Sequence, residues 1–463
     1  MCYNNVSLIR GDSMSSIIRV KKVEIRNLKN VKKGAFNINV NFDNMDKADV
    51  IGLYGQNGSG KTAVVDAFQL LKTLLSPKNR ELPNLDQHLI YYNEEAIQLT
   101  FTFIKKNIDG EFFIKYRVTL KASESNDKDD QVLKVYQEEL SYRENIKHKR
   151  YKSLIKKDND DISIRNHHVD SMSETGKVSV LVANKMSKGN STSFVFREEL
   201  KESLELYLSK VERNIINCLL HEFDKDFHVI NTTHYGLLIA NIMMPFSVHI
   251  DNKRGHIPYD LEDTMVFPEE VYEVMKKVIE QTNIVLKNIV PGLEVKINMI
   301  SKEKMDGGIQ GIRLELLSVK NQIELPLRCE SEGILKIISI LTTLIAVYNN
   351  PNACVVIDEL DSGIFEYLLG EILEVLSESG KGQLFFTSHN LRILEVLPIN
   401  NLWFTTANAE DRYIQLKGVK KLNNARDVYL RAIQLGGQKE QIYEETDSYD
   451  IKRSFRKAGI SNE

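Results

Sequence analysis

A glycine-rich turn between an apolar run and a helical pattern constrains this chain more than any other segment. Residues 50–54 have the length and apolar character of a buried strand, and a helix is predicted from about residue 61 to residue 75. The turn and the helix start form the phosphate loop, which consists of Gly55, Gln56, Asn57, Gly58, Ser59, Gly60, Lys61 and Thr62. Its glycines allow backbone N–H groups to surround phosphate oxygens, and the positive end of the helix faces the same anion.

The last two residues of the phosphate loop indicate which anion is bound. Lys61 can place its charge on the β and γ phosphates of a nucleotide, and the Thr62 hydroxyl can ligate Mg²⁺. The phosphate loop therefore predicts the binding of a nucleoside triphosphate with Mg²⁺.

Two later apolar runs end in polar residues that fit the same chemistry. Residues 353–357 are followed by Asp358 and Glu359, and residues 383–387 are followed within two positions by His389. An acid at the end of a buried strand faces the nucleotide, so Asp358 is expected to hold Mg²⁺ and Glu359 to polarise the attacking water. His389 is expected to hydrogen-bond the γ-phosphate, although a lone histidine in a protein is more often structural.

The order of patterns along the chain predicts an α/β fold with a mixed sheet and a parallel sheet flanked by helices. Strands with alternating polarity are expected within 17–42, 97–104 and 112–120. Helices are expected over 198–218, 268–289, 331–348 and 364–376. The charged segments 122–130 and 147–160 are expected to be exposed loops or hairpin tips.

Composition excludes several classes of protein. The 463 residues carry 61 basic and 64 acidic side chains, a net charge of -3, so there is no global attraction to nucleic acid. The four cysteines are scattered without metal-ligand spacing, as in a reduced cytoplasmic protein. The apolar stretch 237–246 is much shorter than the roughly 20 residues of a membrane span, so no membrane association is expected.

A fourth motif, Glu330-Ser331-Glu332-Gly333, begins a predicted helix. On its own it fits a helix cap and an anion-binding helix start equally well. In the order phosphate loop, serine–glycine helix start, acidic strand end and histidine, however, the chain resembles the SMC, RecF and OLD branch of the ABC-type ATPases. Glu332 departs from that family's usual serine–glycine–glycine pattern.

The resemblance implies an enzyme that hydrolyses ATP to ADP and phosphate and whose ATP site contains residues from two copies of the chain. Ser331 and Gly333 would belong to the signature segment 330–333, which completes the ATP site of another copy, and Asp361 to a loop that crosses the dimer. Residues 17–125 and 293–405 would form the ATPase head, 126–292 an inserted lobe for recognition or oligomerisation, and 406–463 a C-terminal extension. The family's glutamine loop is not placed; Gln87 is a candidate, and Gln98 falls inside a predicted strand.

Among such ATPases, the chain is most similar to the AriA family of the bacterial PARIS anti-phage systems. That resemblance implies a homo-oligomer that senses a phage protein and holds or releases a separate Toprim nuclease. Because only 74 residues follow His389 (463 minus 389), a Toprim domain in the same chain is not expected.

Two other functions are open at this stage. A RecF-like repair ATPase would clamp DNA, and its contact would come from the basic run that starts at Lys147 and continues to Lys157. That run also fits a solvated hairpin. A scaffold that binds ATP without turning it over is the other alternative.

Overall fold

A computed structural model describes residues 16–76, 89–123, 132–189, 192–231, 243–250, 253–418, 425–444 and 446–460. Their backbone forms two large sheets and two small ones. The predicted α/β fold class, with a largely parallel phosphate-loop sheet flanked by helices, is confirmed by this arrangement, and the other large sheet, predicted to be mixed, is antiparallel.

The larger sheet is antiparallel and has the order β2-β1-β4-β5-β6-β7-β8-β9. Its strands are β1 (Ile17–Leu28), β2 (Val31–Asn37), β4 (Ala96–Asn107), β5 (Gly110–Ala122), β6 (Leu133–Glu144), β7 (Lys152–Asp158), β8 (Asp161–Ile164) and β9 (His167–His168). Burial alternates over residues 22–26 of β1 and 96–101 of β4, as the period-two pattern predicts, whereas residues 101–105 of β4 are all buried.

The second sheet contains the phosphate-loop strand and has the order β10-β17-β18-β3-β19-β20. Its strands are β3 (Asp49–Tyr54), β10 (Phe227–Ile230), β17 (Cys354–Ile357), β18 (Gln383–Ser388), β19 (Leu402–Thr405) and β20 (Tyr413–Ile414). All neighbours are parallel except β19 and β20. The central strands are apolar and buried on both faces, as expected for a parallel sheet between two layers.

The two small sheets complete the strand inventory of the described residues. One pairs β11 (Met243–Ile250) with β12 (Lys253–Asp260); the other contains β13 (Met265–Pro268), β14 (Leu293–Lys304), β15 (Gln310–Lys320) and β16 (Ile323–Pro326).

The helices in the described residues are α1 (Lys61–Leu75), α2 (Glu174–Gly189), α3 (Lys201–Tyr207), α4 (Lys210–Asn217), α5 (Glu269–Ile289), α6 (Glu332–Asn349), α7 (Glu366–Ser379), α8 (Ile393–Val396), α9 (Ala425–Leu435) and α10 (Ser448–Ile460). Four of the predicted helices correspond to α1, α5, α6 and α7, with ends that differ by at most three residues.

Helix α1 is sandwiched between the two large sheets. The Phe68 ring lies 5.6 Å from Phe101 on β4 and 4.9 Å from Phe385 on β18, between ring centroids. Successive side chains of β3 belong to the hydrophobic cores on opposite faces of its sheet. Ile51 is buried in the core that contains α1, and Val50 is buried in the core on the other face. The sheet of β3 is therefore the middle layer, and the phosphate loop leaves it at an edge.

The prediction of one helix over 198–218 is wrong. The chain is interrupted at Leu208, and Ser209 starts α4 with a capping box in which Ser209 and Glu212 bond each other's backbone. A six-residue π-helix, Cys218–Phe223, follows α4. The motif S-x-x-E was present in the sequence, but the continuous apolar stripe concealed the break.

The prediction of a loop over 147–160 is also wrong in its second half. Residues 145–150 form an exposed turn, but Lys152–Asp158 is strand β7, with Leu154 and Ile155 fully buried. The predicted boundary between residues 125 and 126 lies outside the described residues. The strands on either side of it, β5 and β6, pair with each other, and β10 joins the phosphate-loop sheet from within residues 126–292.

Helix α6 combines an apolar composition with a length of 18 residues. Within the described residues, it alone is long and apolar enough to cross a bilayer, with a mean hydropathy of 1.4 over 18 residues. Because 67% of that window is buried inside the protein, α6 has the character of a core helix.

Candidate nucleotide-binding site

Parallel strands bring the predicted site residues to one edge of the second sheet. Strands β17, β18 and β3 are direct neighbours, and their carboxyl ends lead into Asp358, His389 and Gly55 respectively. The order of these strands in the sheet is not their order in the sequence. Three motifs separated by up to about 330 residues therefore converge on one surface, the usual ligand-binding edge of such sheets.

The phosphate loop has a backbone that requires its glycines. Gly55, Gly58 and Gly60 have φ values of 158°, 74° and 97°. A Cβ atom at Gly55 would lie 1.6 Å from the Thr405 hydroxyl oxygen, whereas nothing lies within 4 Å of the Cβ position at Gly58. The loop is thus packed against β19 on one side and open on the other, where a phosphate would enter.

Side chains from distant segments hold the loop in this shape. The Tyr413 hydroxyl donates to the Gly60 carbonyl at 2.9 Å, and Ser59 and Thr405 join their hydroxyls at 2.5 Å. The Asn30 amide donates to the Gly58 carbonyl. These contacts preorganise the loop, which lowers the entropy lost when an anion binds.

Lys61 lies at the mouth of the loop with little solvent exposure. Its Nζ donates to the carbonyls of Gly55 at 2.9 Å and Gln56 at 3.0 Å, and the residue is 7% exposed. Burial lowers the pKa of Lys61 to about 8, although the carboxylates of Asp358 and Glu359 oppose the shift. A bound polyphosphate would favour the charged form and so raise this pKa.

Asp358 and Glu359 differ in exposure. Asp358 is 3% exposed, and its Oδ1 accepts a hydrogen bond of 2.5 Å from the Thr387 hydroxyl on β18. Glu359 is exposed and has a φ of 46°, an uncommon value for a residue with a side chain. Its amide donates to Thr387 Oγ1 at 2.7 Å, and its carbonyl accepts from Lys336 Nζ at 2.5 Å. The left-handed backbone of Glu359 is therefore held at both ends.

His389 is hydrogen-bonded to the loop after the acids, which is residues 360–365, between Glu359 and α7. Its backbone amide donates to Asp361 Oδ2 at 3.0 Å, and the side chain is partly exposed at the sheet edge. Partial burial and then the nearby Lys61 charge lower the pKa of His389, while the surrounding carboxylates oppose the shift. His389 and Asp361 also line a cavity of about 420 Å³ at this edge. The carboxylate of Asp361 has a partner within its own chain.

A fourth strand end reaches the same edge and was missed by the sequence analysis. Asn231 follows β10, is 7% exposed, and donates from Nδ2 to Asp66 Oδ1 on α1 at 3.2 Å. The Asp358 amide bonds the Ile230 carbonyl at 2.8 Å, which places Asn231 beside the acidic strand end. Its signal was an apolar run ending in a polar residue, as for Asp358. Gln87 lies outside the described residues, and Gln98 is exposed near the start of β4.

The signature segment begins α6. Ser331 is exposed and caps the helix by accepting from the Ile334 amide at 3.5 Å. Gly333 contacts the loop after the acids, since a Cβ there would lie 2.1 Å from the Gly363 carbonyl oxygen. The structure thus gives Gly333 a packing role within the chain, in addition to any role toward another copy.

The C-terminal extension also touches the phosphate loop. The Gln56 side chain accepts from the Glu444 amide at 3.0 Å and donates to the Glu444 carbonyl at 3.5 Å. The Ala407 amide bonds the Gln441 carbonyl at 2.8 Å nearby.

The residues present fit a nucleoside triphosphate with Mg²⁺. The open side of the loop at Gly58, the ammonium of Lys61 and the buried carboxylate of Asp358 provide a cradle, a counter-charge and a hard oxygen ligand. Thr62 stands at the start of α1, so Thr62 and Asp358 are the residues that would hold the metal.

A comparison with protein families identifies the broad class. Residues 50–395 match the AAA_21 family, described as "AAA domain, putative AbiEii toxin, Type IV TA system". The chain belongs to this family. In this AAA-domain protein the matched region runs from β3 past His389, so it contains the phosphate loop, the signature segment and Asp358 with Glu359. The family supports a nucleotide-binding P-loop protein, as the sequence predicted.

Solved structures to which the chain is similar include SMC heads. An SMC head bound to the C-terminal winged-helix domain of ScpA has a TM-score of 0.43 at 14% identity, with 86% of this chain and 97% of that chain covered. The SMC head domain from Thermotoga maritima has a TM-score of 0.38 at 13% identity, with coverages of 86% and 99%. A Pyrococcus yayanosii SMC head with a coiled coil and joint has a TM-score of 0.40 at 12% identity, with coverages of 90% and 100%. No curated protein matches the sequence.

Proposed function

We propose that this protein hydrolyses ATP with Mg²⁺ and that the hydrolysis cycle operates a switch between paired and separated copies. The observation that carries the proposal is the convergence of Lys61, Asp358, Glu359 and His389 at the carboxyl edge of three adjacent parallel strands. Each of these residue types has a defined use in phosphoryl transfer to water.

The residues of the chain have different proposed roles in hydrolysis. The phosphate loop and Lys61 bind and orient the triphosphate, with its γ-phosphate toward β18. Glu359, exposed and held at both ends of its backbone, orients a water molecule and accepts its proton. His389 would donate a hydrogen bond to a γ-phosphate oxygen. Mg²⁺, when bound by Thr62 and Asp358, neutralises developing phosphate charge.

We further propose that the site is completed by a second copy. Ser331 and Glu332 are exposed at the start of α6, where backbone N–H groups are available to an anion of another copy. ATP would then stabilise the pair, and its hydrolysis would release it.

The ATPase proposal is tested with Glu359→Gln. The variant keeps the shape of the side chain but cannot accept a proton, so turnover should drop by about 10²–10⁴-fold while ATP binding persists. Glu371→Gln is the matched control, because Glu371 is exposed on α7 away from the strand ends. Wild-type turnover by Glu359→Gln would contradict the proposal; a wild-type protein that binds ATP without hydrolysing it would support a scaffold instead.

Completion by a second copy is tested by mixing two inactive variants, Lys61→Ala and Ser331→Arg. A mixed dimer contains one intact site, made from the phosphate loop of one copy and the signature segment of the other. An equimolar mixture should regain about a quarter of wild-type turnover, since half of the dimers are mixed and half of their sites are intact. No recovery in the mixture would place both halves of the site in one chain.

The biological setting is proposed from the resemblance to the AriA family of PARIS systems. We propose a cytoplasmic homo-oligomer that senses a phage protein and holds or releases a separate Toprim nuclease. Co-expression with the products of neighbouring genes, followed by purification with and without ATP, tests this. Recovery of the ATPase free of any Toprim protein in both conditions would contradict it.

DNA clamping in the manner of RecF is the second candidate function. Lys147, Lys149 and Arg150 are exposed at the tip between β6 and β7, which keeps a DNA contact open. Lys157 is 1% exposed and donates to Ser187 at 3.2 Å, so it does not belong to any such surface. Binding to random duplex that weakens steeply with added salt, and that Arg150→Glu reduces, would favour this candidate.

A further inference from the structure

Helix α2 has its apolar side facing outward. Its larger apolar side chains, Val178, Leu181, Val182 and Met186, are 56%, 49%, 45% and 42% exposed. The buried residues of the same helix are mostly small or polar: Gly176, Ser179, Val180, Ala183, Asn184 and Ser187. A surface helix normally buries its apolar stripe, so the orientation of α2 calls for a partner on the exposed stripe.

Polar contacts on the inner side prevent α2 from turning its apolar stripe inward. The Ser179 hydroxyl donates to the Glu199 carbonyl at 2.6 Å, and the Gly176 carbonyl accepts from the Ser203 hydroxyl at 2.8 Å. At the other end, Ser187 accepts from the buried Lys157 at 3.2 Å. Rotation of the helix would leave these buried groups unpaired, at a cost of about 1–3 kcal/mol each.

We infer that the α2 stripe is a contact between two copies of this chain, in which the two α2 helices pack antiparallel. The pattern of charge favours a second copy over other partners. Glu174 lies at the start of the helix and Lys185 near its end, both exposed. The antiparallel register that packs Val178 on Val182 of the second copy also places Glu174 beside Lys185 of that copy, and two-fold symmetry repeats both contacts.

The same charges disfavour an anionic polymer or lipid surface as the occupant. Such partners require a mainly basic rim. Here Glu174 offsets Lys185, and the other two lysines of the helix are already paired, Lys177 with Asp170 at 3.8 Å and Lys188 with Asp160 at 2.5 Å. The antiparallel arrangement also opposes the two helix dipoles, which is favourable at each end.

The α2 contact is small. The helix has 16 residues and is about 24 Å long, so one face of it is well below the roughly 800 Å² per partner of a stable dimer. It should therefore be weak alone and effective when another contact already holds two copies together. If the proposed ATP-dependent head contact is correct, two different two-fold contacts on one chain generate an assembly larger than a dimer.

Sedimentation velocity on the full chain tests the inference, with Val182→Glu as the disrupting variant. Ile284→Glu is the matched control, because Ile284 is a 69% exposed apolar residue on α5. Without nucleotide, Val182→Glu should weaken self-association by about tenfold or more, since its carboxylate would be buried at the contact. ATP is then added to proteins that also carry Glu359→Gln, which prevents hydrolysis. The Ile284→Glu protein should form species larger than a dimer, whereas the Val182→Glu protein should form dimers only. Equal behaviour of the two variants would overturn the inference.

A charge exchange provides a second test that does not insert a charge into the stripe. Glu174→Lys and Lys185→Glu should each weaken self-association, because each creates like-charge pairs, and the double variant should restore it. A double variant as weak as the single ones would also overturn the inference. Failure of the ATPase proposal is distinguishable, because self-association sensitive to Val182→Glu would then remain but would not respond to ATP.

Discussion

Replacement of Gly333 by alanine tests its packing within the chain separately from its proposed contact with nucleotide in another copy. The added Cβ would lie 2.1 Å from the Gly363 carbonyl oxygen, about 1.3 Å short of the 3.4 Å at which ordinary contact begins. That oxygen is backbone, and Gly363 has a φ of 75°, so it cannot move aside as the end of a side chain would. We expect a loss of about 1–3 kcal/mol in the free energy of unfolding, typical of an overpacked site.

Thermal unfolding without nucleotide measures this loss, which should lower the melting temperature by a few degrees. Gly189→Ala is the control: Gly189 is also helical, has nothing within 4 Å of its Cβ position, and should give an unchanged or slightly higher melting temperature. ATP turnover is measured on both variants at a temperature where both are folded.

A Gly333→Ala protein that melts with the wild type in the absence of nucleotide would refute this reasoning. The glycine would then be needed only for the proposed contact with ATP of a second copy, and turnover alone would be lost. A lower melting temperature with a proportionate loss of turnover would instead show that the signature segment and the loop after the acids are one packed unit.

Two further predictions concern groups that are buried beside the site. Because burial lowers the pKa of Lys61 to about 8, ATP binding should take up about half a proton at pH 8 and close to none at pH 7, and affinity should decrease as the pH rises above 8. Calorimetry in two buffers of different ionisation enthalpy measures the proton uptake. A Lys336→Met variant checks whether the other buried lysine contributes to it, and proton release at pH 8 would contradict the assignment to Lys61. Thr387→Val removes the hydroxyl that bonds both Asp358 and the Glu359 amide, and should cost about 1–3 kcal/mol in stability together with most turnover. Thr73→Val, whose hydroxyl bonds only a carbonyl of its own helix, should retain turnover; equal losses in both variants would count against a role for Thr387 in the site.

The sequence was sufficient for those parts of the site that are encoded locally. The phosphate loop, the acidic strand end and His389 each combine a buried apolar run with the polar residue that follows it, and parallel pairing then brings the runs together. Four helices were predicted within three residues of their ends, because each has a long apolar stripe and a clear terminal signal.

Asn231 has the same local pattern and was nevertheless missed. Its strand β10 is four residues long, includes His228, and lies in a stretch that was assigned to a separate lobe. What identifies it is pairing with β17, which lies more than 120 residues later in the chain. The contact of Gln56 with Glu444, 388 residues apart, has no periodic signal at all. Such features depend on tertiary pairing, which single-sequence patterns do not encode.

The backbone of Glu359 connects the predicted catalytic acid to the signature segment. A residue with a side chain at a φ of 46° costs roughly 1–3 kcal/mol unless its surroundings fix it. One of the two groups that hold it, Lys336, is on α6 only five positions after Ser331, and Gly333 of the same turn packs on the loop that follows Glu359. Any contact that shifts the start of α6 therefore also moves Lys336, which donates a hydrogen bond to the Glu359 carbonyl. The surface proposed to meet a second copy and the lysine that bonds the Glu359 carbonyl are thus on one helix, so the proposed pairing would be physically connected to the proposed hydrolysis.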